Sequence, residues 1–387
     1  MSVTRKLLPG NKIELQTPLI FLNSRIVKRR IAIVLPSAQG GGAERVLLNL
    51  LKRLNRNLFD LYLIIIENSG PYLDLVPPDI HIHPLGYDRV GRAIVKLVIT
   101  LRRLKPDVVL TSIGHLNLAL LLIRPFLPKK VQIIVRESNM PSKSFASGFK
   151  FALIRKLYPL LYPCADRVIC PGEEIKNELK IKFRIPEDKM EIIPNPILVD
   201  NIRSELESFH DPFEHDSIRL LAAGSLTWQK GFDLLVIAMK KLVKKRPEVH
   251  LTILGEGPEK NNLANQIRSL DLSDSITLAG FQKNPYPYFY HADLFVLSSR
   301  WEGLPNVVLE SLACGTPVVA FECPGCIKEI VGHSSQGRLV PIGDIDAMVH
   351  AIAEMVEMSD KKCNHSLLPD RFNATSVTAR YEKLLSA

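Results

Sequence analysis

Ser299-Arg300-Trp301-Glu302-Gly303-Leu304-Pro305-Asn306-Val307-Val308-Leu309-Glu310-Ser311-Leu312-Ala313-Cys314-Gly315-Thr316-Pro317-Val318-Val319-Ala320 lies between two short apolar runs, residues 294–297 before it and 317–320 at its end. Runs of that length bounded by turn residues read as buried strands. Pro305 suits the first position of a helix, predicted over 307–314. Such a helix presents free N–H groups and the positive end of its dipole at the carboxyl edge of the preceding strand, where an anion would sit. Glu302 falls in the loop and Glu310 inside the helix. Eight helical residues span about 12 Å, far from the roughly 5 Å that separates the two carboxylates of a retaining glycosidase. The spacing suits two contacts at opposite ends of one extended ligand.

The same strand, turn, helix alternation runs outward in both directions. After the basic cluster Lys28-Arg29-Arg30 an apolar run at 31–35 ends at Pro36, then come Gly40-Gly41-Gly42 and a helical pattern over 44–54. Further strands are predicted at 61–66, 108–111, 131–135, 167–170 and 190–193, with helices at 90–104 and 149–161. Between Asp200 and Ser217 no strand pattern is visible. A second set then starts, with strands at 219–223, 250–254, 275–278, 294–297 and 317–320 and helices at 232–245 and 258–270. The expected fold is α/β, two Rossmann-like doubly wound domains facing each other across a deep cleft. Residues 1–27 form a poorly ordered lead-in, 28–205 the first domain, 206–365 the second, and 366–387 a helix returning to the first. Ligands of such sheets bind beyond the carboxyl ends of the strands.

Composition excludes several classes. With 387 residues, 46% hydrophobic and 23% charged, the chain has the size of two globular domains. No apolar run reaches the roughly 18 residues of a spanning helix; residues 116–123 come nearest and stop at Arg124 and Pro125. The start lacks the apolar core of a secretory signal, so a cytoplasmic address is expected. Six scattered cysteines suggest no disulfide framework, and Cys323-Pro324-Gly325-Cys326 reads as a Gly/Pro turn rather than a zinc or redox site. Net charge is +10, unevenly placed: residues 1–200 hold 31 Lys+Arg against 17 Asp+Glu, and the remainder 19 against 23. A basic first half admits an anionic membrane surface, nucleic acid or a merely solvated face. No nucleic-acid module accompanies the charge. The pattern over 89–105, with Arg92, Lys96, Arg102, Arg103 and Lys105 beside Ile94, Val95, Leu97, Val98, Leu101 and Leu104, fits either a membrane-surface helix or an ordinary helix facing its sheet, and the charge bias of the first half favours peripheral contact with the inner face of a membrane. Asp344-Ile345-Asp346 resembles a D-x-D metal motif but precedes a helix, where an N-cap is the better reading. Tyr286, Tyr288, Phe289 and Tyr290 read as packing of a short helix.

The quoted stretch resembles the E-x7-E signature of glycosyltransferase family 4 (glycosyl transferases group 1), retaining enzymes of the GT-B fold. Other landmarks of that family stand in order: Gly40-Gly41-Gly42-Ala43-Glu44-Arg45, Ile193-Pro194-Asn195-Pro196, Gly224-Ser225 through Lys230-Gly231, and Gly255-Glu256-Gly257-Pro258. The resemblance covers roughly residues 30–385. It implies retaining transfer of a hexose or N-acetylhexosamine from a nucleotide diphosphate, UDP ahead of GDP-mannose, without metal or other cofactor, to a polysaccharide or lipid-linked acceptor in surface glycan assembly. Glu302 would accept hydrogen bonds from the donor sugar and Glu310 from the ribose. Lys230 would neutralise the departing diphosphate, helped by amides near Gly303, Leu304, Pro305 and Asn306. Gly41, Gly42 and Gly224 would let backbone approach the phosphates. The physics is electrostatic stabilisation of a leaving group.

Two departures follow. The family usually carries an arginine five residues before the lysine, and this chain has Ser225; either Arg300 or another nearby cation substitutes, or activity is weakened. On the acceptor side the family's histidine is replaced by the run Val135-Arg136-Glu137-Ser138-Asn139, so Arg136, Glu137 and Asn139 are candidates there, with His115. A nucleotide-sugar epimerase of the same architecture, and a nucleotide-sugar-binding relative without turnover, are the alternatives. The first lacks an evident acid/base set, and intact Glu302, Lys230 and Glu310 argue against the second.

Overall fold

A computed structural model describes residues 28–387 except 145–155, 200–201, 203, 205, 214–216, 333–334 and 359–364. The expected lead-in at 1–27, most of the helix expected at 149–161, and Cys363 lie outside the described residues.

The first half builds β1 (Arg29–Leu35), α1 (Gly42–Arg53), β2 (Phe59–Ile65), β3 (His81–Pro84), α2 (Val90–Leu104), β4 (Val108–Ser112) and α3 (Gly114–Leu122). It continues with β5 (Gln132–Arg136), β6 (Arg167–Cys170), α4 (Glu173–Phe183) and β7 (Met190–Ile192). All seven strands pair parallel in the order β3-β2-β1-β4-β5-β6-β7. The second half builds β8 (Ile218–Ala223), α5 (Phe232–Val243), β9 (Val249–Leu254), α6 (Lys260–Ser269), β10 (Ile276–Gly280), α7 (Tyr286–His291) and β11 (Leu294–Leu297). Then come α8 (Asn306–Ala313), β12 (Val318–Phe321), β13 (Gly337–Val340), α9 (Ile345–Met358) and α10 (Ala374–Ser386). Its sheet is parallel in the order β10-β9-β8-β11-β12-β13. Strand order reverses beside β1 and β8, and at such switch points a crevice opens.

Side-chain alternation explains why both faces are covered. In β1, Ala32 and Val34 join the core cluster beneath α2 and α3, while Ile31, Ile33 and Leu35 join the cluster beneath α1. Helix α10 belongs to the latter: Val377, Tyr381, Leu384 and Leu385 are buried in that cluster, the three aliphatic side chains each worth about 2 kcal/mol of burial. The chain's last helix thus packs on the first sheet, started by Asn373, whose side chain accepts from Thr375 N at 2.9 Å.

Several elements differ from expectation. Strands β3 and β13 and helices α3 and α4 were not predicted. Strand β3 reads His-Ile-His-Pro, is only four residues long and sits at the sheet edge, where Pro84 leaves no ladder donor unpaired. Pro305 is the N-cap of α8 rather than its first residue. Asp344 behaves as an N-cap, its carboxylate accepting from Ala347 N at 2.9 Å, and Asp346 pairs with Lys241 at 2.7 Å. In α2, Ala93, Leu97 and Leu101 face the sheet, whereas Val95 and Ile99 are exposed.

Candidate active site

A cleft of about 800 Å³ lies where the two sheets present their strand ends to each other. Its walls come from the loops after β1, β5 and β7 on one side and after β8, β9, β10 and β11 on the other. Gly41, Gly42, Arg136 and Asn139 line the first wall; Gly224, Ser225, Lys230, Glu302, Gly303, Leu304, Pro305, Asn306 and Glu310 line the second. The expected donor residues therefore surround one cavity.

Lys230 and Glu302 meet at its centre. Lys230 ends a helical turn after β8, and its Nζ lies 2.6 Å from Glu302 Oε1. Ser299 Oγ donates to the same oxygen at 2.6 Å. Glu302 is buried, so its charge is matched by the lysine rather than by water. The Lys230 stem runs past Gly224, where a Cβ would come within 3.2 Å of Cε. The Cys323–Cys326 turn braces the Glu302 loop: Glu302 N donates to Pro324 O at 2.9 Å and Cys326 N to Gly303 O at 2.8 Å. Both thiols are buried, which pushes their pKa values up and leaves them protonated.

The halves touch through this loop. A Cβ on Gly303 would lie 2.2 Å from Ser138 O, so only glycine allows the approach. Asn306 Nδ2 donates to Gly42 O at 3.0 Å, and Asn195 Nδ2 donates to Asn306 Oδ1 and to Leu304 O, the latter at 3.2 Å. Asn139 reaches Gln229 at 3.4 Å. Behind Asn195 stands Arg136, 1% exposed, donating to Asn195 Oδ1 and to Ser112 Oγ at 3.2 Å. Among the described residues no carboxylate pairs with Arg136, so the cleft floor carries a buried positive charge.

Three expectations need correction. Arg300 does not stand in for the missing arginine: it forks onto Asp233 at 2.7 and 2.8 Å, donates to Trp228 O and lies 4.5 Å from the Trp228 ring centroid, away from the cleft. Glu137 does not reach the acceptor side. Its side chain turns into the core, where Tyr158, Tyr162 and Asn117 donate to Oε1, and burial pushes its pKa up to about 8. His115 opens onto a separate depression beside Ser37, Glu67, Asp88 and Arg89. Gly41 lines the cleft, with the Gly40 and Gly41 amides donating to Glu44 Oε2 at 3.1 and 3.0 Å.

Arg45 and Tyr286 were not anticipated as site residues. Arg45 reaches across to Glu310 at 3.0 Å and to Tyr286 Oη at 3.1 Å. Tyr286 therefore does more than pack, although Phe289 against Phe295 and Tyr288 against Phe213 do so. Among the described residues no three His, Cys, Asp or Glu side chains are grouped to hold a metal.

Comparison with known proteins bears on the family and the fold. The description "Glycosyltransferase Family 4" matches residues 40–201 and "Glycosyl transferases group 1" residues 204–366. An uncharacterized glycosyltransferase of Methanocaldococcus jannaschii is 33% identical over 61% of this chain and 60% of its own length. The N-acetylgalactosamine-N,N'-diacetylbacillosaminyl-diphospho-undecaprenol 4-alpha-N-acetylgalactosaminyltransferase of Campylobacter jejuni is 29% identical over 85% of this chain and 90% of its own. Anabaena HepE, solved in complex with UDP-glucose, superposes with a TM-score of 0.78 over 92% of this chain and 99% of its own, at 18% identity, and so shares the fold. Two parallel sheets, a cleft at their facing strand ends and two consecutive family matches leave one assignment: the chain belongs to the group 1, family 4 glycosyltransferases of GT-B fold.

Proposed function

We propose that this glycosyltransferase moves a hexose or N-acetylhexosamine from a UDP-linked donor to a lipid-linked or polysaccharide acceptor, with retention at the anomeric carbon and without metal. The observation that carries the reading is the convergence of Lys230, Glu302, the first turn of α8 and Glu310 on one cleft. The diphosphate would lie against Lys230 and the amino end of α8, the sugar hydroxyls against Glu302, and the ribose against Glu310. As the bond from the anomeric carbon to the β-phosphate oxygen breaks, negative charge grows on the diphosphate, and fixed positive groups in a closed cleft stabilise it. The acceptor hydroxyl attacks from the same face, and the departing phosphate oxygen takes its proton. In this reading Lys230 and the helix terminus supply the positive charge, and no divalent ion is invoked.

The acceptor reading draws on the Campylobacter relative, whose name places its acceptor on diphospho-undecaprenol. It also draws on one surface. Val95, Ile99, Leu122 and Phe126 are exposed, with Arg102 Nε donating to Phe126 O at 2.8 Å. Arg102, Arg103, Lys129 and Lys130, all exposed, lie within a few residues of them in sequence, a pairing of apolar tips and cations that suits peripheral contact with an anionic bilayer on its cytoplasmic face. No described helix is long and apolar enough to cross a membrane.

The test is release of UDP from UDP-sugars with and without lipid-linked acceptor, in chelator, with the product anomer read by NMR. Acceptor-dependent release with retained configuration supports the proposal. Inversion, a strict metal requirement, or epimerised donor without release contradicts it. Salt-sensitive flotation with anionic vesicles tests the surface, and failure to float at low salt counts against it.

A further inference from the structure

Glu310 is 2% exposed, and among the described residues Arg45 is the one cation within 4 Å of its carboxylate. The guanidinium comes from the opposite half, in the first turn of α1, with Nη1 at 3.0 Å from Oε1 and 3.2 Å from Oε2. Its Nη2 donates to Tyr286 Oη at 3.1 Å, and its carbon lies 5.4 Å from the Tyr286 ring centroid. Helix α1 is itself fixed: Glu44 accepts from the Gly40 and Gly41 amides and, at 2.7 Å, from Ser37 Oγ. Arg45 is thus aimed by a rigid helix start at a carboxylate that nothing else neutralises.

We propose that Arg45 is a positioning residue for the donor: reaching from the first half, it keeps Glu310 ionised and oriented to accept ribose hydroxyls, so ribose is recognised only when the two halves meet. The inference rests on the reading that Glu310 receives the ribose. A carboxylate accepts at both oxygens, whereas a protonated carboxyl turns one of them into a donor and loses acceptor capacity. Burial alone drives Glu310 towards the neutral form, and Arg45 opposes that. The other titratable groups facing this pair are Tyr286 on α7, Tyr72 before β3, Cys314 at the end of α8, and Glu44 and Lys52 on α1. Lys52 is the cation in that set; it lies two turns along α1 from Arg45 and makes no ion pair with Glu310, so it does not replace the guanidinium.

An inter-half strut without this role would change closure for every nucleotide alike. The difference is readable by calorimetry with UDP and 2′-deoxy-UDP, from about pH 8 down to about pH 5.5, on the unsubstituted chain, Arg45→Gln, Arg45→Lys and Glu310→Gln. Arg45→Gln should weaken UDP binding about tenfold more than it weakens 2′-deoxy-UDP binding. Its preference for the ribonucleotide should also fade at a higher pH than in the unsubstituted chain. Arg45→Lys should restore part of that preference, and Glu310→Gln should abolish it at every pH. If Glu310→Gln abolishes the preference but Arg45→Gln keeps it across the pH range, the inference is overturned and the ribose reading stands. If Glu310→Gln leaves the preference intact, the ribose reading fails and the inference with it.

Discussion

Lys230→Met removes the charge that balances Glu302 while keeping a stem to lie along Gly224. Glu302 would then hold a buried charge with Ser299 as its one remaining side-chain partner. Breaking a buried pair from one side costs about 3–5 kcal/mol. Lys230 keeps 19% of its side chain exposed, so the lower end, about 3 kcal/mol, is the better figure. Glu302→Gln alone strands the ammonium less severely, because water reaches it. The double variant Lys230→Met/Glu302→Gln buries no charge and should recover most of the loss. Urea unfolding of all four proteins measures the coupling, expected at about 1–3 kcal/mol. Turnover, read as UDP release, should fall about a hundredfold or more in each single variant and little further in the double, since the two act on one leaving group. Additivity within about 0.5 kcal/mol, or full turnover in Lys230→Met, would refute the reasoning.

Three further outcomes are expected. Glu137, raised to about 8 against an ordinary 4.5, binds a proton more readily folded than unfolded, so its contribution is full below about 4.5 and is lost as pH rises through about 8; Glu137→Gln should flatten melting temperature against pH across that window, and parallel curves would contradict it. Gly303→Ala should prevent the approach of the halves at Ser138 and cut turnover at least tenfold while both halves stay folded by circular dichroism; wild-type kinetics would show that this contact is not made. Arg300→Ala should cost about 1–2 kcal/mol of stability through Asp233 and Trp228 yet leave UDP affinity unchanged; a large affinity loss would return Arg300 to the phosphate site.

What the sequence made legible was local. Lys230 and Glu302 each follow a predicted strand, β8 and β11; these two pair side by side and so bring the loops together, but that order is non-local and no local pattern gives it. Strand alternation could also have placed Glu137: it shares parity with Ile133 and Val135, whose side chains face the core beneath α2 and α3, while Arg136 shares parity with Ile134 and faces the other way. That period was not carried one residue past the strand. The Arg45–Glu310 pair spans 265 residues and the Arg300–Asp233 fork 67, and both depend on side-chain directions that no local pattern specifies. The helix α4 pattern was masked by its charges, and β3 by its brevity and its proline.

In the proposed function one nucleotide-sugar bridges the two acidic residues, and a crystal structure of the chain with an unreactive UDP-sugar analogue tests this most directly. The diphosphate is expected within hydrogen-bond distance of Lys230 Nζ and the first turn of α8, with the sugar hydroxyls on Glu302 and the ribose hydroxyls on Glu310. A nucleotide bound in the His115 depression, or in the cleft with its ribose turned away from Glu310, would contradict it.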